Sequence, residues 1–272
     1  MAREGRYKRA RSKAQSIKAW ALDPGAAAAV EQDVRAVRKA DEELIAKLKL
    51  PKSLEDIGGI EGRLRERFKA EVKLFPGGGL IMSYGDGSAL AGDLLKATKA
   101  KRAEIAPGAG GVSLSAEGKP LLAILPAPFQ EVVDLTLELS YQGVPSLNNR
   151  FAILLGARSP TRKARDFTGT GLLWGLGPVM LREDGYLVDQ LPTDLPVIDE
   201  TKMRIELRVT GSRGQRKINA RVLIGRRKPI TSGTAMISRE GLVGGIGFYV
   251  EGGAVEVTSL RIRGLIDPKA LE

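Results

Sequence analysis

From Met203 to Thr210 apolar and polar residues alternate without a break: Ile205, Leu207 and Val209 on one side, Arg204, Glu206 and Arg208 on the other. A period of two is that of a β-strand with one buried face. Gly211-Ser212-Arg213-Gly214 predicts a turn, after which Ile218, Ala220, Val222 and Ile224 resume the alternation. A glycine-rich strand follows over residues 241–250, then a turn at Glu251-Gly252-Gly253, then a closing strand from Ala254 to Arg263.

The same reading runs upstream. Phe68, Ala70, Val72 and Leu74 alternate as a strand, Pro76 to Gly79 turn the chain, and Leu80 to Tyr84 pairs back as a hairpin. Ser88 to Ala100 predicts a short helix. Val112–Ser115 and Leu121–Leu125 are short strands that Pro120, Pro126 and Pro128 confine to edges or ends. Glu131–Tyr141 is a long strand with Val133, Leu135, Leu137 and Leu139 inward. Phe151–Ala157 and Gly169–Gly175 follow, then a hairpin over Val179–Val188 turning at Asp184-Gly185, then an acidic loop over 189–200.

The first fifty residues carry a different period. Tyr7, Ala10, Ala14, Ile17 and Ala21 recur at spacings of three and four, the stripe of a helix. Asp23-Pro24 reads as an N-cap with proline at the first helical position. The stripe of the second helix is Val30, Val34, Val37, Leu44, Ile45 and Leu48, and Pro51 ends it. The expected organisation is a basic α-helical hairpin over 1–50, a connector with Gly58 and Gly59 over 51–65, and an antiparallel β-sandwich over 66–268.

Composition then removes whole classes of chemistry. The chain has neither cysteine nor histidine. Disulfides, thiolate nucleophiles, imidazole metal sites and Ser-His-Asp triads are therefore excluded. No apolar run approaches the roughly 18 residues of a membrane span. The basic N-terminus carries Lys18 and Asp23 where a signal peptide would be apolar, so it does not read as one; a leader upstream of a fragment is a separate matter. The absence of cysteine sets no compartment. The glycine-rich stretches at 77–79, 108–111 and 241–247 lack the Lys-Ser/Thr that opens a helix after a phosphate loop.

Gly241, Gly244, Gly247 and Phe248, with the closing Leu260-Arg261-Ile262, resemble the end of a concanavalin A-like lectin/glucanase (laminin G-like) jelly roll. The resemblance implies a jelly-roll sandwich whose last strand returns beside the first. It also implies a non-catalytic binding module with a glycan or protein partner, in some members with calcium held by Asp and Asn oxygens. Trp174, Tyr186 and Tyr141 are the aromatic candidates for a sugar platform. Asn148, Asn149, Asp166, Asp189 and Asp194 are the polar loop candidates, although no D-x-D-x-D run is present.

Two further chemistries compete with that one. Some glucanases of the superfamily carry paired Glu residues with an Asp between them on one strand face. Glu131, Asp134 and Glu138 are the candidates here, but their spacing of three and then four sets Glu131 opposite the other two on a regular strand. The second is binding of an acidic polymer. Residues 3–18 hold seven basic residues against Glu4 alone, over half of the formal +11, and residues 202–228 hold ten against Glu206 alone. Arg204, Arg208, Arg213, Arg216, Lys217, Arg226, Arg227 and Lys228 are the candidates on that stretch. No aromatic residues interleave with them as they do in single-strand nucleic-acid binders.

Overall fold

A computed structural model of the chain describes residues 54–75, 77–85, 87–97, 102–142, 149–159, 167–174, 178–194, 202–212, 215–224, 230–237 and 244–267. The helical hairpin expected over 1–50 and the basic run Arg226-Arg227-Lys228 lie outside them. The first element is a helix, α1 (Leu54–Arg67), on the stretch expected as a connector. Ile57, Ile60, Leu64 and the following Phe68 recur on one helical face and are buried, while a Cβ at Gly58, Gly59 or Gly62 would meet nothing. The glycines, which suggest a loop, sit on the face away from the core and cost only helix propensity.

Strands β1 (Glu71–Phe75) and β2 (Gly79–Tyr84) form the expected hairpin. A short helix, α2 (Gly87–Asp93), leads to β3 (Leu95–Lys96), β4 (Ala103–Pro107), β5 (Val112–Ala116) and β6 (Leu121–Leu125). Then come β7 (Phe129–Gln142), β8 (Arg150–Arg158), β9 (Thr168–Trp174), β10 (Pro178–Glu183) and β11 (Tyr186–Asp194). The last five are β12 (Lys202–Ser212), β13 (Gln215–Ile224), β14 (Ile230–Ile237), β15 (Gly245–Glu251) and β16 (Gly253–Ile266).

These strands make two antiparallel sheets. The nine-stranded sheet runs β1-β2-β16-β7-β12-β13-β14, with β5 paired to β16 and β4 to β5; the seven-stranded sheet runs β11-β10-β9-β8-β15-β6-β3. The closing strand returns beside β2 rather than beside the first strand, β1, which forms the edge. Strands β5 and β6 are interior rather than at edges, and Pro120 and Pro126 flank β6 just outside its ends. The core fills the space between the sheets. Leu137, Leu139, Ile205, Leu207, Val257 and Ile262 enter it from the larger sheet, and Phe151, Ile153, Leu172, Trp174, Phe248 and Val250 from the smaller.

Two departures from the expected pattern have local causes. In β7, Val132 pairs with Gly264 and Asp134 with Arg263, so Val133 is passed over as a bulge. Val132, not Val133, is therefore the buried valine. In the stretch expected as an acidic loop, β11 continues through Asp194, held to β10 by the Pro178–Asp194 pair. At Asp184-Gly185 the hairpin turns as expected, with φ of 49° and 80°. Two successive positive φ values are what a tight hairpin turn needs, and the Asp184 carboxylate accepts the Gly169 N–H at 2.8 Å.

One buried polar contact ties α2 to the larger sheet. Tyr84 donates its hydroxyl proton to Asp93 at 2.8 Å, and the same carboxylate oxygen accepts the Lys69 N–H at 2.7 Å. Burial, then the bond to Asp93 and its charge, push the Tyr84 phenol well above the ordinary tyrosine range. A folded-state value raised above the unfolded one contributes stability that is intact below the unfolded value and is lost as pH climbs beyond it. Tyr84→Phe is expected to lose about 1–2 kcal/mol at neutral pH. The gap between parent and variant should narrow above about pH 10, where unfolded tyrosine ionises. Urea unfolding of both proteins at the two pH values measures it.

Candidate functional site

The outer face of the nine-stranded sheet is where the polar half of the alternation goes. Strand register lines its side chains up in rows across β16, β7, β12 and β13. One row is Arg263, Asp134, Arg208, Asn219; the next is Arg261, Thr136, Glu206, Arg221; the third is Ser259, Glu138, Arg204, Leu223. Opposite residues in a row share a face and lie close enough to interact.

In the first row Asp134 is held between two guanidinium groups: Arg263 donates to one oxygen and the Arg208 Nε lies 3.2 Å from the other. In the second, Glu206 has Arg204 Nε at 3.0 Å and an Arg221 nitrogen at 3.7 Å. Arg204 also reaches Glu138 at 3.7 Å. Arg261 makes no ion pair among the described residues and is exposed. The first two rows border an open trough of about 610 Å³. Arg208, Arg221, Arg261 and Arg263 line it against only Asp134 and Glu206, and Thr136, Thr210 and Asn219 add neutral donors and acceptors.

This geometry revises the carboxylate arrangement expected from spacing. The bulge at Val133 shifts the alternation by one residue, so Glu131, paired with Leu265, lies on the same outward side as Asp134 and Glu138. Asp134 and Glu138 are four residues apart on one strand, about 13 Å at the usual rise. Retaining glycosidases set their two carboxyls about 5–5.5 Å apart and inverting ones about 6.5–9.5 Å. Each of these two instead faces arginines across the strands.

The basic candidates divide. Arg204 and Arg208 stand on the outer face, but in ion pairs. Lys217 is exposed on β13. Arg216 is a β13 residue whose side chain lies outside the described part, as do Arg213, Arg226, Arg227 and Lys228 altogether.

The aromatic and loop candidates do not converge. Trp174 is a core residue, only 5% exposed and stacked on Phe151 with ring centroids 5.9 Å apart. Its place at the inward phase of β9 turns the ring into the core rather than toward a ligand on the surface. Tyr186 is exposed on β11, opposite Glu183 beside the turn, and Asp189 lies three residues further along, its carboxylate accepting the Gln190 N–H at 2.8 Å. Asn149 precedes β8, at the end where Phe151 pairs with Trp174 and Pro178 with Asp194, away from Tyr186. The side chains of Tyr141 and Asp194 lie outside the described part, as do Asn148 and Asp166 altogether. Among the described residues no group of three or more acidic side chains is placed to hold a metal ion, so calcium has no ligand set there. No helix among them is long and apolar enough to cross a membrane.

Arg261, Arg263, Thr136 and Asn219 were not candidates on sequence grounds. Their one signal is the outward phase of the closing strand and of its neighbours, which becomes a site only once register sets the strands side by side.

The fold is the concanavalin A-like jelly roll. No protein-family model and no curated protein matches the chain in sequence. Among solved structures it is similar to a seed lectin of Lotus tetragonolobus, with 8% identity and a TM-score of 0.52, covering 68% of this chain and 98% of the lectin. It is similar to lectin I of Ulex europaeus, solved with the methyl glycoside of α-L-fucose, at 11% identity and a TM-score of 0.51, covering 68% and 98%. A protein of unknown function from Shewanella oneidensis matches over 80% of this chain and 97% of its own, with 10% identity and a TM-score of 0.50.

Proposed function

We propose that this chain is a non-catalytic glycan-binding module, and that it takes saccharides bearing carboxylate or sulfate groups on the outer trough of the nine-stranded sheet. The observation that carries the reading is the arginine-rich lining of that trough, in which Arg261 makes no ion pair among the described residues. A guanidinium presents a planar fork of donors that matches a carboxylate or sulfate with two parallel hydrogen bonds. Thr136, Thr210 and Asn219 supply the donor-and-acceptor groups that sugar hydroxyls require. The likeness to two plant lectins, one of them solved with a fucoside, supports a saccharide as the ligand class; this step is an analogy of fold. Binding without turnover accords with the wide separation of Asp134 and Glu138.

The test is isothermal titration of the full chain with an oligouronate, a sulfated oligosaccharide, a neutral oligosaccharide and a single-stranded oligonucleotide, at about 50 and 200 mM salt. The acidic saccharides are expected to bind more tightly than the neutral one, with a shallow salt dependence because few charges engage. Tighter binding of the oligonucleotide with a loss of orders of magnitude across that salt range would replace this reading with an acidic-polymer one. Binding of none of the four would remove it.

A further inference from the structure

The seven-stranded sheet is apolar on both faces. Its inner face joins the core, and its outer face carries a second cluster: Leu122, Ile124, Ala152, Leu154, Leu173 and Tyr249, with Phe167 lying across it. Phe167 meets Tyr249 edge-on at 5.7 Å between centroids. A Cβ at Gly171 would lie 2.6 Å from its ring, and one at Gly247 would lie 2.6 Å from Ala157 Cβ. The outer face is therefore close-packed in its own right. It is also covered: Ala152, Leu154 and Phe167 are 0% exposed. Among the described hydrophobic residues, only Phe167 and Ala97 join this cluster from outside the strands.

A further apolar occupant for this face is available only from chain outside the described residues. The internal stretches of that kind are each no longer than seven residues. The N-terminal fifty-three are the one long stretch, and residues 24–50 carry a helical apolar stripe with nothing yet assigned to meet it. Where this segment ends also fits. It joins α1 at Leu54, and α1 stands at the β1 edge, where Arg65 donates to the Val72 carbonyl. At the opposite side of the sandwich β11 lies beside β14, so β1 and α1 share their side with β3 and β6 of the smaller sheet. A helix of that length spans about 40 Å, and the outer faces of β6, β15, β8 and β9 span only about 15 Å.

We propose that residues 24–50 seat the stripe of Val30, Val34, Val37, Leu44, Ile45 and Leu48 on the outer face of the seven-stranded sheet, over Leu122, Ala152, Leu154 and Leu173. The occupant is this chain's own segment, and the seat leaves the trough of the other sheet as the open polar face. The basic residues 3–18 precede the seated helix.

Because the chain has no cysteine, Ala152→Cys introduces its one thiol. In the full chain that thiol is expected to react slowly with a small maleimide, and Val34→Asp with Val37→Asp in the stripe should raise the rate about tenfold or more while a cooperative thermal transition persists. Fast labelling of the parent, or a rate the stripe variants leave unchanged, would overturn the proposal. Should the aspartate variants fail to fold, disulfide formation decides it: Ala152→Cys combined in turn with Val34→Cys, Val37→Cys or Leu44→Cys should close an intramolecular bond in at least one pair. Closure in none would count against the seat.

Discussion

Replacing Trp174 by alanine is expected to lower the unfolding free energy by about 3–5 kcal/mol, the usual cost of deleting a large aromatic from a packed core. Trp174 sits at the inward phase of β9, pairs across the sheet with Phe151 and stacks on its ring. The surrounding β-strands are hydrogen-bonded on both sides and cannot collapse into the space left behind. Its indole N–H has no hydrogen-bond partner among the described residues, so the side chain contributes as an apolar filler. Trp174→Phe should accordingly be mild, near 1 kcal/mol. Denaturant unfolding reads the stability. Saccharide binding by the folded fraction should be unchanged in both variants, and a selective loss of binding would restore Trp174 as a ligand platform.

Reversing Arg261 to glutamate should have the largest effect on binding, a loss of at least tenfold in affinity for an acidic saccharide and more if a bidentate contact is broken. A charge-assisted hydrogen bond contributes about 1.5–3 kcal/mol, and each 1.4 kcal/mol is tenfold. Arg261 is the informative position because, among the described residues, no ion pair is lost with it. Substituting Arg263 or Arg208 would also release Asp134, which both of them hold. Arg261 is exposed on β16, so Arg261→Glu should unfold within about 0.5 kcal/mol of the parent. Titration calorimetry with the parent and the variant separates the two effects.

β8 and β9 read only as short apolar runs, buried on both faces, whereas the alternation of Met203–Thr210 made β12 legible and that of the closing strand made β16 so. Each of the latter two has a buried face that a one-residue slip would turn outward, and that constraint is written into its residues. Ile230 to Ile237 has no such record. It is an edge strand carrying Thr231, Ser232, Gly233 and Thr234, and its pairing with β13 satisfies backbone groups without needing an apolar face. The helix at Leu54–Arg67 was hidden by Gly58 and Gly59, which weaken a helix without forbidding it once Ile57, Ile60 and Leu64 are packed. The bulge at Val133 leaves no mark in the sequence at all, yet it decides which valine is buried and where Glu131 faces.

The trough was the least legible part. Its arginines come from positions 208, 221, 261 and 263, and their approach depends on β16 and β12 flanking β7. Composition registers them as excess charge and says nothing of their partners. Counted along the chain, residues 202–228 look like an uncompensated basic stretch. Across the sheet, Arg204 and Arg208 find Glu138 and Asp134 from a strand some seventy residues earlier. Charge pattern along one strand is a poor guide to the field of a face, because the neighbouring strands contribute as much.

The location of the ligand is tested most directly by the arginine Nε–Hε resonances of the full chain, assigned by single Arg→Lys substitutions and followed by NMR while an acidic oligosaccharide is added. The account predicts that the signals of Arg208, Arg221, Arg261 and Arg263 shift together and saturate at one affinity. Saturable shifts confined to the β10–β11 hairpin around Tyr186 and Asp189, with those four arginines unmoved, would contradict it.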